Sequence, residues 1–213
     1  MINFNIDDAA TLWQRWELNA LRNPNRDAII HWAAGEEPFR WTFKTLLETA
    51  KKFSIRIKEA GIKPGDVCAI IMHHNPLFYP LYLGISRIGA LPSVLAYPNP
   101  RLHPDKFRDG IRGMSQRSGL DWIFTESSLE PILVPLVTNS KIKGMHFPLE
   151  WDLNFRDAAI ESELNEIRKN RLGADPFLLQ HSSGTTGLQK PVLLSNRAVL
   201  EDVDNYADKI FTG

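Results

Sequence analysis

The sequence has little of several things, and each shortage excludes a class of protein. Cysteine occurs once in 213 residues, at Cys68, which excludes an internal disulfide framework and fits a reducing compartment. The 25 basic and 25 acidic side chains cancel, which argues against nucleic acid or an anionic membrane surface as a partner. No apolar run is long enough for a membrane span, and the first residues lack the basic and apolar regions of a signal peptide. We therefore expect a cytoplasmic protein with no membrane span.

Strand-like and helix-like apolar patterns alternate along the chain. A helix is expected near the start, with Asp7 or Asp8 as its N-cap, followed by a hairpin. Thr42 is typical of the N-cap of a second helix, which Gly61 ends. Residues 67–72 are apolar throughout, as in a central strand that is buried on both faces. The alternation predicts an α/β fold with a mainly parallel sheet and helices on both faces.

The most informative segment lies between residues 178 and 190, where an apolar run meets consecutive small residues and then a lysine. Glycines let the backbone approach a ligand closely, hydroxyl groups donate hydrogen bonds, and a lysine adds a mobile positive charge. This composition suits the binding of phosphate oxygens. The candidate phosphate-binding residues are Ser182, Ser183, Gly184, Thr185, Thr186, Gly187 and Lys190.

The segment is not a Walker A loop, because that motif needs Gly, four residues and then Gly-Lys-Ser/Thr. Here Gln189 stands where the second glycine would be, counted from Gly184, and Pro191 follows Lys190. The alternative is a Ser/Gly-rich surface turn between two strands. The ordered string from Ser183 to Lys190, flanked by strand-like runs, favours the phosphate site.

Charged residues crowd into residues 154–172, which we interpret as a solvated helix or linker. This interval divides the chain in our prediction. Residues 1–153 form an α/β subdomain, and residues 173–213 form a strand–phosphate loop–strand–helix unit that starts the next subdomain.

Some other residues invite functional interpretations that compete with plainer ones. His181 is expected to be a strand-end histidine bonded to backbone, rather than a nucleotide ligand. His73 and His74 are expected to cap or face solvent rather than bind a metal. The six tryptophans fall on apolar faces and are interpreted as core. A basic helix could hold an anion such as a CoA phosphate, but a solvated face is favoured; its cations are Lys106, Arg108, Arg112 and Arg117.

Residues 183–190 resemble the Ser/Thr-Gly-Thr-Thr-Gly-x-Pro-Lys-Gly signature of the adenylate-forming enzymes, which include acyl-CoA synthetases, adenylation domains of peptide synthetases and luciferases. Segments at residues 40–46, 61–67, 88–94 and 118–125 are similar to further elements of that family, in the same order. The sequence departs from the family pattern at three positions. Gln189 replaces the usual Pro, Pro191 replaces the usual Gly, and Asn196 stands where many members have His.

The resemblance implies an ATP-dependent ligase that activates a small-molecule carboxylic acid as acyl-AMP and transfers it to a thiol such as CoA. ATP and Mg²⁺ are then the implied cofactors, and CoA is a possible one. The family's magnesium-binding and ribose-binding elements and its catalytic lysine are not found before Gly213. We therefore expect the N-terminal part of a longer enzyme, inactive alone, with no catalytic residue or metal site of its own and with the remainder of the parent enzyme as its partner.

Two alternatives stay open at this stage. One is a peptide-synthetase adenylation domain, which would activate an amino acid for a carrier protein. The other is a non-catalytic nucleotide-binding scaffold module that keeps the α/β core.

Overall fold

A computed structural model describes residues 9–98, 101, 103–154, 156–182 and 190–211, with Ser182 and Phe211 described by their backbone alone. The α-helices within these residues are α1 (Leu12–Arg22), α2 (Phe43–Glu59), α3 (Phe78–Arg87), α4 (Pro104–Ser118), α5 (Glu130–Thr138), α6 (Ala158–Lys169) and α7 (Asn196–Phe211). The strands are β1 (Asp27–His31), β2 (Phe39–Thr42), β3 (Val67–Ile71), β4 (Leu91–Val94), β5 (Leu120–Thr125), β6 (Gly144–His146), β7 (Pro176–Ser182) and β8 (Lys190–Ser195). No helix in the described part is long and apolar enough to cross a membrane.

A four-stranded parallel sheet in the order β4-β3-β5-β6 forms the centre of the fold. Every residue of β3 is buried, as predicted for a strand covered on both faces. Its side chains alternate between two apolar clusters, with Ala69 and Ile71 in one and Cys68 and Ile70 in the other. This arrangement confirms the predicted α/β class with a parallel sheet between two helical layers.

The two layers are built from helices of different parts of the chain. One layer packs α4 and α5 on the sheet, through Phe107, Ile111, Leu133 and Leu136. The other packs α2, α3 and α6 on the opposite face, through Phe53, Ile57, Leu81, Ile85 and Leu164. The hairpin of β1 and β2 and the helix α1 cover the outer side of α2 and α3, around Trp13 and Trp41.

Helices α2 and α3 approach each other closely at Gly84. A Cβ atom added to this residue would lie 2.9 Å from the Cβ of Phe53 and 3.0 Å from the carbonyl oxygen of Ala50. The missing side chain of Gly84 therefore sets the distance between the two helices.

The capping prediction is correct for α2 and wrong for α1. The side chain of Thr42 accepts a hydrogen bond from the backbone N–H of the third helical residue of α2, as expected. Helix α1, however, has Thr11 as its N-cap, and the expected caps Asp7 and Asp8 lie outside the described residues. Thr11 and Gln14 form a reciprocal capping box, in which each side chain accepts a hydrogen bond from the backbone N–H of the other residue.

The tryptophans predicted to lie in the core are of three kinds, since Trp16, Trp122 and Trp151 are only partly buried against it. Trp13 and Trp41 are buried, whereas the side chain of Trp32 is 72% exposed. Trp32 directly follows the last residue of β1, so it lies beyond the paired part of the hairpin, and for this residue the core prediction is wrong.

The polar interval contains α6, which is more than a solvated element. Ile160, Leu164 and Ile167 pack against the α2–α3 side of the core, and Leu164 is completely buried. The helix therefore contributes an apolar stripe to the subdomain. The division of the chain at residues 153 and 173 stays a prediction.

An ion pair between a buried arginine and a partly exposed glutamate joins α3 to α6. The side chain of Arg87 has no exposed surface, and it donates to both carboxylate oxygens of Glu161 at 2.7 and 2.9 Å. The same guanidinium group donates to Ser54 in α2 and to Asn165 in α6. For Glu161, the interpretation of the interval's charges as a wet surface is wrong, because its carboxylate neutralises a cation inside the protein.

Candidate functional site

The strands on either side of the candidate phosphate-binding segment form an antiparallel hairpin. The register runs from Pro176 opposite Ser195 to Ser182 opposite Lys190. Residues 183–189 follow β7 in the sequence, and Lys190 is the exposed first residue of β8. The candidate residues that lie outside the described part are Ser183, Gly184, Thr185, Thr186 and Gly187.

Strand β7 is anchored in the body of the protein. Leu179 is buried in the cluster that covers the α4–α5 face of the sheet. Phe177 is buried as well, and its ring packs edge-on against Tyr82 of α3 with centroids 6.0 Å apart. One strand of the hairpin is therefore fixed by core packing, and Ser182 ends that fixed strand.

His181 lies just before the candidate loop, and its ring is bonded to two serines rather than to backbone. The Nδ1 atom is 3.2 Å from the Oγ of Ser93 in β4. The Nε2 atom is 2.7 Å from the Oγ of Ser118 at the end of α4. The prediction of a backbone partner is wrong, because β7 runs close enough to β4 and α4 for serine hydroxyls to reach both ring nitrogens.

The hydrogen bonds define the tautomer of His181. The hydroxyl of Ser118 donates to the carbonyl oxygen of Met114 at 2.6 Å, so its oxygen accepts the proton of Nε2–H. The other nitrogen, Nδ1, is then an acceptor for the hydroxyl of Ser93, which is completely buried. Burial lowers the pKa of His181, which favours this neutral ring. The neutral ring of His181, with a hydrogen bond at each nitrogen, therefore connects the end of β7 to β4 and to α4.

We expect nitrogen-detected NMR to find His181 as the Nε2–H tautomer with a titration midpoint below the usual value of 6.5. Because the folded-state pKa is lowered, the neutral ring contributes stability above pH 6.5, and this stability is lost as the pH falls through the folded-state value. Replacing His181 with Phe should remove that part of the pH dependence of unfolding. A protonated Nδ1 at neutral pH, or a midpoint at or above 6.5, would contradict this assignment.

Asn196, one of the departures from the family pattern, has a clear structural role. It is 3% exposed, its Oδ1 atom accepts from the backbone N–H of Leu12 at 3.1 Å, and its Nδ2 atom donates to the carbonyl oxygen of Asp175 at 3.2 Å. The residue connects the start of α1 to the hairpin and α7. Sequence reasoning missed this role, because no pattern in the residues near Asn196 indicates a contact with Leu12, which is 184 positions away.

The other histidines form pairs. The ring of His73 is 2.8 Å from a carboxylate oxygen of Glu126 and packs against Tyr97. The ring of His74 stacks on His31 with centroids 3.9 Å apart. Among the described residues, no group of three or more His, Cys, Asp and Glu side chains could hold a metal ion.

Two of the four cations on the basic face of α4 form ion pairs within the helix. Arg108 forms an ion pair with Asp105, and Arg112 forms one with Asp109 at 2.7 Å. Each acidic partner lies three residues earlier, as is common on solvated helices. These pairs favour the solvated-face interpretation over an anion site.

The model of the family described as "AMP-binding enzyme" matches residues 16–212, which is almost the whole chain. The chain belongs to the AMP-binding enzyme family. The resemblance stated from the sequence is thereby confirmed.

Similar proteins agree with this assignment. The chain is 25% identical to 4-coumarate-CoA ligase 2 of Narcissus pseudonarcissus, over 78% of this chain and 30% of that protein. A solved fatty acyl-adenylate ligase from L. pneumophila, in complex with acyl adenylate and pyrophosphate, is similar with a TM-score of 0.72 and 20% identity, over 92% of this chain and 32% of that one.

A third similar protein comes from peptide synthesis. The adenylation domain of a keto acid-selecting NRPS module bound to keto acyl adenylate gives a TM-score of 0.71 at 17% identity, over 93% of this chain and 34% of that one. At these identities the two structural matches show the fold alone. This AMP-binding family chain spans about a third of the length of each of the three proteins.

Proposed function

We propose that this chain is the phosphate-binding N-terminal part of an ATP-dependent ligase, which activates a carboxylic acid as acyl-AMP and transfers it to a thiol such as CoA. The observation that carries the proposal is the position of the family motif. The string from Ser183 to Lys190 follows directly on a strand that core packing and His181 fix in place. A family member with this motif on a fixed hairpin is suited to hold a triphosphate.

The chemistry explains why these residue types are needed. A carboxylate must approach the α-phosphate of ATP, and both groups are anionic, so positioning and charge neutralisation dominate the step. In this proposal the hydroxyls contact phosphate oxygens, the glycines permit a tight loop, and Lys190 neutralises charge. The hydroxyl donors are Ser182, Ser183, Thr185 and Thr186, and the glycines are Gly184 and Gly187. No general base is assigned, because the substrate carboxylate is already ionised.

Magnesium suits the family's chemistry, but the described residues of this chain do not form a site for it. The described part gathers no set of carboxylates or imidazoles that suits a metal. We therefore derive no step through magnesium and place its ligands in the remainder of the parent enzyme.

The partner that we propose for this chain is that remainder. Several large apolar side chains of β8 and α7 are exposed in the described structure: Val192, Leu193, Val203, Tyr206 and Ile210. Exposed apolar side chains in this number gain free energy if a partner covers them. The chain covers about a third of its relatives, so further sequence of the same protein is the natural occupant.

A peptide-synthetase type of adenylation reaction is the second candidate, and it is supported by the likeness to the NRPS adenylation domain. The two candidates share the first half-reaction and differ in the acceptor. With the parent protein, ATP–pyrophosphate exchange over a panel of carboxylic and amino acids would identify the substrate. Thioester formation with CoA or with a carrier protein would then separate the two candidates, and no exchange with any acid would favour the scaffold alternative.

We expect Lys190→Ala to weaken the binding of pyrophosphate to this chain by at least about tenfold, which corresponds to about 1.4 kcal/mol. The reason is the loss of the positive charge at the start of β8, beside the phosphates. Isothermal titration measures the affinity, and the expected affinity of the unmodified chain is weak. Lys169→Ala is the matched control, since Lys169 is an exposed lysine paired with Glu166 on α6. Pyrophosphate binding that is absent, or equal in both variants, would contradict a preformed phosphate site.

A further inference from the structure

One N–H group of Arg87 has no acceptor among the described residues, although the whole side chain is buried. Its guanidinium carries five N–H donors. The four on Nη1 and Nη2 match four acceptor contacts, with Ser54, Asn165 and both carboxylate oxygens of Glu161. The remaining Nε atom is buried and has no hydrogen-bond partner in the described structure. Burying such a donor without an acceptor is energetically unfavourable.

The neighbouring residue Trp13 has a second buried donor without a partner among the described residues. This donor is its indole Nε1 atom. The guanidinium carbon of Arg87 lies 5.5 Å from the centroid of the Trp13 ring. Two donors without partners on neighbouring side chains indicate an acceptor close to both residues, because buried polar groups in proteins are nearly always hydrogen-bonded.

Both residues line one small cavity of about 20 Å³, which has room for one molecule or ion about the size of water. The residues that line it are Thr11, Trp13, Ser86, Arg87, Arg168, Arg171, Phe177 and Asn196. Every ionisable side chain in this lining is an arginine. The carboxylates of Glu161, Glu17 and Asp175 pair with these arginines but do not line the cavity.

We propose that this cavity binds one small monovalent anion of the halide class, accepting hydrogen bonds from Trp13 Nε1–H and Arg87 Nε–H. A cation is disfavoured by the lining of arginines and N–H donors. A halide ion accepts hydrogen bonds from any direction and donates none, so it needs no acceptor group in the lining. This suits a cavity lined by N–H donors.

The anion would act as a structural tie. The lining comes from α1, α3, the end of α6, β7 and the first residue of α7. A bound halide therefore holds the hairpin and α7 against the helical layer that covers the sheet. This site is distinct from the proposed phosphate loop and does not rest on it.

Thermal unfolding in different sodium salts at one ionic strength tests the proposal. We expect chloride and bromide to raise the unfolding midpoint saturably, by about 2–4 °C relative to gluconate. Trp13→Phe removes one donor and should abolish this increment. Trp32→Phe is the matched control, since that indole is exposed, and it should keep the increment. An equal midpoint in all salts, or an equal increment in both variants, would overturn the proposal.

A second measurement does not depend on a variant that folds. Crystals of the unmodified chain grown in bromide should show an anomalous scattering peak within hydrogen-bond distance of Trp13 Nε1 and Arg87 Nε. A water molecule without anomalous signal at that position would overturn the proposal.

Discussion

Glu161→Ala will lower the free energy of unfolding by about 3–5 kcal/mol. The substitution leaves the guanidinium of Arg87 inside the protein with no carboxylate beside it, and the side chain of Arg87 has no exposed surface. Removing one partner of a buried pair is costly because the remaining charge is neither solvated nor neutralised. Urea-induced unfolding followed by circular dichroism measures the change.

Glu163→Ala is the matched control on the same helix. Glu163 pairs with Lys58 at 2.7 Å, but its side chain is 54% exposed. Water screens this pair, so its loss should change the free energy of unfolding by less than about 1 kcal/mol. Because both substitutions replace Glu with Ala in α6, helix propensity cancels in the comparison. Equal losses for the two variants would show that the pair of Arg87 with Glu161 is no more important than a surface ion pair.

Gly84→Ala will destabilise the protein by about 2–3 kcal/mol, since it overpacks the contact of α2 with α3. The new methyl group would meet the carbonyl oxygen of Ala50 at 3.0 Å and the backbone nitrogen of Ser54 at 3.1 Å. These atoms belong to the backbone of α2, so the two helices must move apart to admit it. The same urea titration detects the loss.

Gly110→Ala is the control, and we expect it to change the free energy of unfolding in the opposite direction. Gly110 lies in α4, and a Cβ atom there would meet nothing within 4 Å. Alanine is the better helix former, so this substitution should stabilise the protein by about 0.5–1 kcal/mol. If both substitutions change stability in the same direction, the distance between α2 and α3 is not limited by Gly84.

Local patterns in the sequence predict much of the fold. The apolar run at residues 67–72 identified the central strand, because a strand covered on both faces leaves no polar position. Thr42 and Gly61 identified the ends of α2, because capping is determined by neighbouring residues. The pair of Arg87 with Glu161 could not be predicted, since 74 residues separate its members and no periodicity connects them.

The candidate site shows the same division between local and distant information. The string from Ser183 to Lys190 identifies a family because its chemistry is contained in adjacent residues. The environment of His181 depends on Ser93 and Ser118, which are 88 and 63 residues away in the chain. A strand-end histidine has no local signal for such partners. Sequence alone therefore located the family motif but not the contacts that fix the strand before it.

The hydrogen bond from the backbone N–H of Leu12 to Asn196 has a consequence for the order of folding. The two residues are 184 positions apart, and Arg15 of α1 pairs in the same way with Asp204 of α7 at 2.8 Å. During synthesis α1 leaves the ribosome well before α7, which carries both partners. We expect the sheet and its helices to form earlier, since their contacts are closer in sequence. Helix α1 then docks late, against α7 and the helices that already cover the sheet.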